Sequence, residues 1–355
     1  MKAETIRSIF NEFDHQSNYI SHSEINSGHI NDTFLVKTEG SKHYILQRIN
    51  QNIFKNVPGL INNKVITSKH LKSKYLNLSE EELGKKVVSF VKTKKTPFYY
   101  HRENENFWNV MIFIDDSITH EIVKDEEISY EAGKLLGEFL NLTSDFDSSQ
   151  LIDVIPNFHD MSFRYKQYAS SIQSAFKKRL EKVASYRKIV ADLKDEMHIL
   201  QELKEIGAIP IRVTHNDTKI SNSLFDKDNK GICMIDIDTV MPGIIHYDFG
   251  DAIRTICNTA AEDEKDLFKV EFNLEYYKAY QKGFLEKTKN SLSEIELNYL
   301  PLAVKTMIFL MGLRFLTDYL NNDMYYKTNY EEHNLDRAKN QFKLIESFSE
   351  KLPNH

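Results

Sequence analysis

Hydrophobic and polar residues alternate through residues 20–50, "ISHSEINSGHINDTFLVKTEGSKHYILQRIN". An apolar side chain at every second position is the period of a β-strand, and two glycine-containing turns interrupt the pattern. The stretch therefore predicts three antiparallel strands. A further strand is predicted at "FWNVMIFI", and residues 79–95 end in strand-like apolar residues. Residues 51–78 are predicted to be helical after Pro58.

Apolar residues at helical spacing begin at Ser129 and dominate the rest of the chain, apart from one β-hairpin predicted at about residues 221–240. Residues 158–206 contain neither Gly nor Pro, which is typical of a long helical hairpin. We therefore predict an α+β fold of two lobes, with a small antiparallel-sheet lobe at residues 1–115 and a larger, mostly helical lobe at residues 116–355.

Composition narrows the class of protein. Hydrophobic residues make up 41% of the 355 residues, which is enough for a sizeable core. The 46 basic and 52 acidic residues give a net charge of -6, and no basic block suited to a phosphate backbone occurs. Nucleic acid is therefore not an expected partner. Cys233 and Cys257 lie outside any metal-ligand spacing and are predicted to be reduced core thiols.

Nothing in the sequence pattern predicts a membrane partner. The longest apolar stretch, "LAVKTMIFLMGLRFL", carries Lys305 and Arg314 and is shorter than a bilayer span, so a buried helix is expected there. The amino terminus, "MKAETIRSIFNEF", has no apolar signal core. We expect a cytoplasmic protein.

Polar residues with catalytic potential gather in "RVTHNDTKISN" and in the following "MIDID". Asp217 and Asn222 have the spacing of the kinase pattern H-x-D-x-x-x-x-N, in which the Asp accepts the proton of the nucleophile and the Asn binds metal. Asp236 and Asp238 are expected on one face of a strand, as metal ligands, because side chains alternate along a strand. His215 is expected to hold the loop rather than to carry a proton.

Three stretches together resemble the aminoglycoside phosphotransferase and choline kinase superfamily, whose members are protein-kinase-like. "THNDTKISNSLF" resembles its catalytic loop, "MIDIDTVMPGIIHYDFGDAIR" its metal-binding strand and structural aspartate, and "WNVMIFID" its hinge. The resemblance implies ATP and Mg²⁺ as cofactors, nucleotide contacts from Phe113 and Ile114 in the hinge, and a bracing role for Asp248.

Further stretches look most similar to the N-acetylhexosamine 1-kinases, among them "SGHINDTFLV", "PNFHDMSFRY" and "GLRFLTDYLNNDMYY". In that family, residues matching His29, Asp217, Arg314 and Tyr325 would surround the sugar. The reaction implied is transfer of the γ-phosphoryl group of ATP to the anomeric oxygen of GlcNAc or GalNAc, and the sequence does not distinguish these two sugars.

The predicted small lobe departs from the general kinase plan. Its third strand, "YILQRIN", has no lysine; Gln47 falls where the phosphate-binding lysine would sit, with Arg48 beside it. Both are predicted to contact the nucleotide. No Asp or Glu occurs between Gln47 and Glu80, so the usual acidic partner on the small-lobe helix is missing.

Three alternatives stay open at this point. A kinase of the same fold could act on another sugar, an amino alcohol or an aminoglycoside, although a pocket for cationic substrates should be markedly acidic. A metal-dependent phosphohydrolase could use His215, Asp217, Asp236 and Asp238 around two ions. A nucleotide-binding module without catalysis is the third.

The role of Arg314 and the oligomeric state also stay open. Arg314 lies on an apolar helix, where a contact with the substrate and an internal salt bridge fit equally well.

Overall fold

The sheet of the first lobe is antiparallel throughout. The computed structural model describes residues 1–25 and 30–353. Within them, a six-stranded sheet has the order β1-β2-β3-β6-β4, with β5 paired to β6. The strands are β1 (Tyr19–Ile25), β2 (Asp32–Thr38), β3 (Tyr44–Arg48), β4 (Phe90–Val91), β5 (His101–Glu103) and β6 (Asn106–Ile112). The three-stranded meander and the strand at "FWNVMIFI" are therefore confirmed.

An amino-terminal helix that the sequence pattern did not predict covers one face of this sheet. Helix α1 (Ala3–Phe10) buries Ile6, Ile9 and Phe10 against apolar residues of the sheet, including Trp108. Burying such side chains contributes about 1.5 to 3 kcal/mol each. This apolar layer forms the core of the small lobe.

Helix α2 (Val57–Lys74) runs from the sheet to the second lobe. It begins at the predicted place, with Pro58 in its first turn and the Asn56 side chain accepting a hydrogen bond from the Gly59 N–H. From the helix, Asn63 donates to the carbonyl oxygens of Ile152 and Val240. These bonds tie α2 to the second lobe. Helix α3 (Glu80–Lys86) follows.

The second lobe is mostly helical, and one large apolar core unites its helices. The predicted helical hairpin at residues 158–206 is present, with a short helix at its bend. The helices are α4 (Glu126–Leu142), α5 (Met161–Ser174), α6 (Lys177–Lys182), α7 (Ala184–Glu205), α8 (Ile245–Ile256), α9 (Leu274–Thr288), α10 (Glu294–Asn298), α11 (Leu300–Leu320) and α12 (His333–Lys351).

Helix α11 is the central helix of this lobe and confirms the buried helix expected from its sequence. By length and composition alone it could cross a membrane, but 72% of its most apolar window is buried inside the protein, as in the core helix of a globular domain. Helix α8 packs so closely on α11 that a Cβ atom at Gly250 would overlap the carbonyl oxygen of Ala303. The close contact brings two helices that carry polar site residues side by side.

Two short hairpin-like pairs interrupt the helices. Strands β8 (Ser223–Phe225) and β9 (Gly231–Met234) form the predicted hairpin, and β7 (Arg212–Thr214) pairs with β10 (Met241–Gly243). The expectation that Asp236 and Asp238 lie on a strand is wrong. Asp236 has left-handed backbone angles, φ 58° and ψ 49°, and Ile237–Thr239 form a 3₁₀ turn. The α+β, two-lobed prediction is confirmed, and its boundary between residues 115 and 116 stays a prediction.

Candidate active site

The loop between β7 and β8, residues 215–222, is called the Asp217 loop below. Its start is fixed by a buried carboxylate on helix α8. The two oxygens of Asp248 accept hydrogen bonds from the backbone N–H groups of His215 and Asn216, each at 2.7 Å. Burial raises the pKa of Asp248 to about 7, and the two N–H donors oppose that rise. The sequence-based bracing role of Asp248 stays a prediction, and these contacts are the ones that such a role requires.

His215, the first residue of the Asp217 loop, is buried. Its Nε2 lies 2.9 Å from the Ile235 carbonyl, to which it donates, and its Nδ1 accepts the N–H of Asp217 at 3.3 Å. These partners assign the neutral tautomer with the proton on Nε2. Burial lowers the pKa of His215. The imidazole therefore links the Asp217 loop to the segment that carries Asp236, and it has no free nitrogen for proton transfer.

The carboxylate of Asp217 faces outward from this braced loop, with 28% of its side chain exposed. Asn222 Nδ2 donates to Asp217 Oδ2 at 2.8 Å and to the Asp217 carbonyl at 2.9 Å. The Asn222 amide nitrogen therefore faces Asp217, and its amide oxygen faces away from Asp217. Asp217 and Asn222, predicted from their spacing, are thus brought into direct contact.

Lys219 is a site residue that the sequence reasoning missed. Its Nζ lies 3.3 Å from Asp217 Oδ2. Although burial opposes the charged ammonium, the nearby carboxylates of Asp217 and Asp236 raise the pKa of Lys219 overall. A lysine two positions after the aspartate of the loop was the available sequence signal. Its positive charge acts on the carboxylates of both Asp217 and Asp236.

Asp236 is half-buried, and no hydrogen bond or ion pair reaches its carboxylate from the residues that the structure describes. Burial, followed by the charges of Asp238 and Asp217, raises the pKa of Asp236 to about 7. A partly accessible carboxylate among others of like charge is a fit partner for a divalent cation.

Within the described ranges, no group of three or more His, Cys, Asp and Glu side chains is arranged to hold a metal ion. Enzymes that use nucleotides commonly hold Mg²⁺ through one or two carboxylates together with substrate phosphates and water. Asp236 and the amide oxygen of Asn222 fit that limited donor set.

The Asp238 side chain points toward the small lobe. One of its oxygens forms a buried ion pair with Lys64 of helix α2, and the other accepts a hydrogen bond from Asn31, which lies between β1 and β2. Both oxygens therefore already have donors from the small lobe. The metal role predicted for Asp238 has not been tested, and its geometry makes it a poorer candidate than Asp236.

The residues predicted to contact nucleotide do not form one group. Gln47 is buried and accepts a hydrogen bond from Lys64 at 3.1 Å. Its neighbour Arg48 pairs with Asp32 of β2, and strand alternation places the two side chains on opposite faces of the sheet.

In the segment after β6, Ile114 is buried against Val88, Leu224 and Cys233. The adjacent Phe113 donates its backbone N–H to the His43 carbonyl at 2.9 Å. Ile114 thus packs close to the end of the Asp217 loop, since Leu224 is two residues beyond Asn222. This contact places the segment after β6 beside the candidate catalytic residues.

Arg314 of α11 is half-buried among aromatic rings. Its Cζ lies 5.3 Å from the ring centre of Phe158, 5.8 Å from that of Tyr325 and 5.6 Å from that of Tyr326. In the part of the chain that the structure describes, no carboxylate pairs with Arg314, so the internal salt bridge considered from the sequence is not found. His29 lies outside the described residues.

Tyr325 is 61% exposed, and its backbone is held in place. Asp318 accepts the N–H of Tyr325 at 2.8 Å and that of Tyr326 at 2.9 Å. A third hydrogen bond, from Asn334 Nδ2, fixes the same carboxylate. The turn after α11 is therefore anchored so that both tyrosines lie beside Arg314.

Two further residues complete the Arg314 cluster, which we define as Arg314, Arg164, His159, Phe158, Tyr325 and Tyr326. His159 is buried, and neither ring nitrogen has a hydrogen-bond partner in the described structure. Burial, then Arg314 and Arg164, lower the pKa of His159. Burial and Arg314 lower the pKa of Arg164 to about 10. The sequence reasoning noted the stretch "PNFHDMSFRY" only as a likeness and missed this concentration of positive charge.

A polar chain connects the Asp217 loop with helix α8, which packs on α11. The N–H of Thr218 donates to Asp251 at 3.3 Å, and Arg254 bonds the same carboxylate at 3.1 Å. Arg254 also pairs with Glu262 at 2.8 Å. The acidic residues on this side of the loop are thereby neutralised within the protein.

Known structures share the fold of this chain. A choline kinase from Cryptosporidium parvum has a similar structure, with a TM-score of 0.60, 15% identity and coverage of 99% of this chain and 96% of that one. The amicoumacin kinase hAmiN, solved with AMP-PNP, Ca²⁺ and Ami, gives a TM-score of 0.61 at 13% identity, covering 98% and 94% of the chains. The predicted kinase-like fold is therefore confirmed.

Sequence comparison leads to the same group of proteins. An ethanolamine kinase from Drosophila melanogaster is 24% identical over 110 residues, which is 31% of this chain. The match spans only 21% of the length of that curated relative. Residues 91–284, more than half of the chain, match the profile of a phosphotransferase enzyme family. The predicted superfamily is confirmed, whereas the N-acetylhexosamine specificity stays a prediction. The chain belongs to the phosphotransferase enzyme family.

Proposed function

We propose that the protein is an ATP- and Mg²⁺-dependent kinase whose acceptor is the anomeric hydroxyl of an N-acetylhexosamine, GlcNAc or GalNAc. The observation that carries the proposal is the partly exposed carboxylate of Asp217, which Asn222 and Lys219 contact and whose charge acts on Asp236. Phosphoryl transfer needs an oriented hydroxyl, a metal ion and compensation of charge, and these four side chains supply those functions.

Asp217 would orient the reacting hydroxyl and accept its proton as the new bond to phosphorus forms. The hydrogen bond from Asn222 holds the carboxylate in one orientation. Lys219, 3.3 Å away, would offset negative charge on the transferred phosphoryl group. His215 and Asp248 support the loop from behind and contact neither reactant.

A Mg²⁺ ion held here would supply positive charge that offsets the charge of the phosphates. Asp236 would hold it because its carboxylate has no other partner in the described residues, and Asn222 would add its amide oxygen. Asp238, with both oxygens bonded to small-lobe donors, is not needed as a ligand. The complex of hAmiN with AMP-PNP and Ca²⁺ supports nucleotide and cation use in this fold.

The nucleotide base would lie at the junction of the lobes, where Ile114 packs beside Leu224. Phe113 and Ile114 are proposed as base contacts on that ground. Gln47 is proposed as an indirect contact, through the lysine that it binds. Arg48 is engaged by Asp32 on the opposite face, so its proposed nucleotide contact has the least support.

The Arg314 cluster would bind the remote part of the acceptor. A neutral sugar offers hydroxyl and acetamide oxygens, which are acceptors for Arg314, while Tyr325 can stack on the ring or bond a hydroxyl. His29 is kept as a proposed contact from its sequence position. The anomeric hydroxyl is more acidic than the other sugar hydroxyls, so a carboxylate such as Asp217 is a sufficient base.

A kinase acting on another small hydroxyl compound remains the alternative, since choline and ethanolamine kinases are among the similar proteins. The two arginines of the cluster favour an uncharged acceptor over a cationic one. A two-metal phosphohydrolase is disfavoured, because His215 has both ring nitrogens engaged and Asp238 has both oxygens engaged.

A panel assay tests the proposal. The purified protein is incubated with Mg²⁺·ATP and, separately, N-acetylhexosamines, unmodified hexosamines, choline and kanamycin, and ADP release is measured. We expect the highest kcat/KM with an N-acetylhexosamine and no release by the Asp217→Asn variant. Preference for choline or kanamycin would reject the sugar, and release of ADP with water alone at the same rate would reject the kinase. A cytoplasmic location belongs to the same proposal.

A further inference from the structure

Helix α2 carries a buried cation at the place where the resemblance to kinases leads one to expect an acid. Lys64 has only 1% of its side chain exposed. Strand β3, where a phosphate-binding lysine is expected, carries Gln47 instead. The Lys64 ammonium donates to Gln47 Oε1 at 3.1 Å. The expected contact between strand β3 and helix α2 is therefore present, but the cation is on the helix and its acceptor is on the strand.

The ammonium also has an acidic partner, which comes from the other lobe. Asp238 forms an ion pair with Lys64 through one oxygen and binds Asn31 through the other. Asn31 in turn accepts the N–H of Asn50 at 2.8 Å and lies on the segment between β1 and β2. Lys64 therefore lies where the small-lobe sheet, helix α2 and the segment after Asp236 meet.

We propose that Lys64 binds the phosphates of the nucleotide in place of a strand lysine, and that Gln47 and Asp238 position it. This inference rests on the proposed kinase function. It makes Asp238 the acidic partner of the phosphate-binding lysine, a role that no residue of α2 fills. Asp238 is then not a ligand of the metal. Sequence spacing could not reveal the arrangement, because the three residues lie on separate elements.

The surroundings of Lys64 support a binding role over a purely structural one. An ammonium has three protons; Gln47 and Asp238 accept two, the Phe90 ring centre lies 5.4 Å from Nζ, and the described residues offer no third oxygen acceptor. Buried ion pairs contribute little net stability, so stability alone does not explain a lysine here.

Nucleotide binding provides the test, with calorimetry on the intact chain. In Lys64→Met, affinity for ATP and ADP should fall about tenfold to a hundredfold, the range expected for lost hydrogen bonds to a charged group. Affinity for adenosine, which has no phosphate, should not change. Lys69→Met is the matched control: it lies on the same helix, exposed and beside Tyr99, and should bind all three as the unmodified protein does.

An exchange of side chains addresses the risk that Lys64→Met does not fold. Gln47→Lys combined with Lys64→Gln restores one lysine and one amide across the same contact. We expect the double variant to bind ADP markedly more tightly than Lys64→Gln alone, with thermal unfolding used to verify folding of each.

Two results would overturn the inference: folded Lys64→Met that binds ADP as the unmodified protein does, or a folded double variant that binds no better than Lys64→Gln. Failure of the proposed function looks different. In that case the unmodified protein itself binds no ATP, or transfers phosphate to none of the acceptors.

Discussion

The Lys219 ammonium lies 3.3 Å from the Asp217 carboxylate, and about a third of each side chain is exposed at the surface of the same loop. Behind them, Asp248 and His215 bond the loop and are fully buried. The arrangement separates two tasks. Buried groups hold the backbone, while the exposed pair is open to solvent, where the proposed reactants would bind.

Replacing Asp217 by Asn should abolish turnover and leave nucleotide binding intact. The amide keeps the shape of the side chain but cannot accept the proton of the hydroxyl. We expect a fall in kcat of at least about 100-fold. Steady-state rates together with calorimetric binding of ADP check this expectation, and near-normal kcat would remove Asp217 from the role of base.

Replacing Lys219 by Met should reduce kcat about tenfold to a hundredfold, because the positive charge that offsets the developing phosphoryl charge is lost. Lys219→Arg should retain more activity than Lys219→Met, since it keeps the charge. Steady-state kinetics measure both variants. Equal loss in the two variants would show that the charge itself is not what matters.

Removing Asp236 or Asn222 should raise the Mg²⁺ concentration needed for half-maximal activity. Each change deletes an oxygen ligand of a cation that requires ordered coordination. Mg²⁺ titrations of Asp236→Ala and Asn222→Ala are compared with Asp228→Ala, an exposed carboxylate of the nearby β8–β9 turn. Unchanged Mg²⁺ dependence in both site variants would contradict the metal assignment.

Truncating Arg314 to Ala should cost about 2 to 4 kcal/mol in kcat/KM for the acceptor, because polar groups of the bound substrate lose their partner. The KM for ATP should barely change. The exposed Arg187→Ala serves as control for the loss of one surface charge. A large loss of ATP affinity with an unaltered acceptor KM would move Arg314 out of the acceptor site.

The free energy of unfolding should decrease as the pH is lowered, because His246 resists protonation in the folded protein. This buried residue of α8 donates from Nε2 to the Glu296 carbonyl at 3.0 Å. Burial lowers the pKa of His246 from 6.5 to about 4. The unfolded chain therefore binds a proton below about pH 6.5 that the folded protein takes up only near pH 4, and about 3 kcal/mol is lost across this window.

Chemical unfolding of the unmodified protein and of His246→Gln at pH 7 and pH 4 measures this effect. The variant cannot take up the proton, so its free energy of unfolding should fall less between the two pH values. Identical losses in both proteins would contradict the assignment to His246.

The sequence predicts those features that depend on local periodicity or short spacing. The meander, the helix after Pro58 and the hairpin follow from apolar period and turn residues. Asp217 and Asn222 follow from a spacing of five residues within one loop. Local patterns failed at Asp236, because β9 already ends at Met234 and the left-handed backbone of Asp236 cancels the expected alternation.

Contacts between distant elements could not be predicted in this way. Lys64 is 17 residues from Gln47 and 174 from Asp238, so only the folded arrangement of both lobes reveals their contact. The same holds for Arg314 and Phe158, which meet because α11 packs against α5 and the segment just before it. The family resemblance pointed to Arg314 and Tyr325, but the sequence could not place Phe158 beside them.

The most direct test of the account is to locate the phosphate in the product formed from ATP, Mg²⁺ and N-acetylglucosamine or N-acetylgalactosamine, by ³¹P–¹H correlation NMR. We predict that the phosphorus couples to the anomeric proton, which places the new bond on the hydroxyl that Asp217 orients. Phosphate on the C6 hydroxyl, or transfer to choline or kanamycin with none to an N-acetylhexosamine, would contradict the assignment of a sugar 1-kinase.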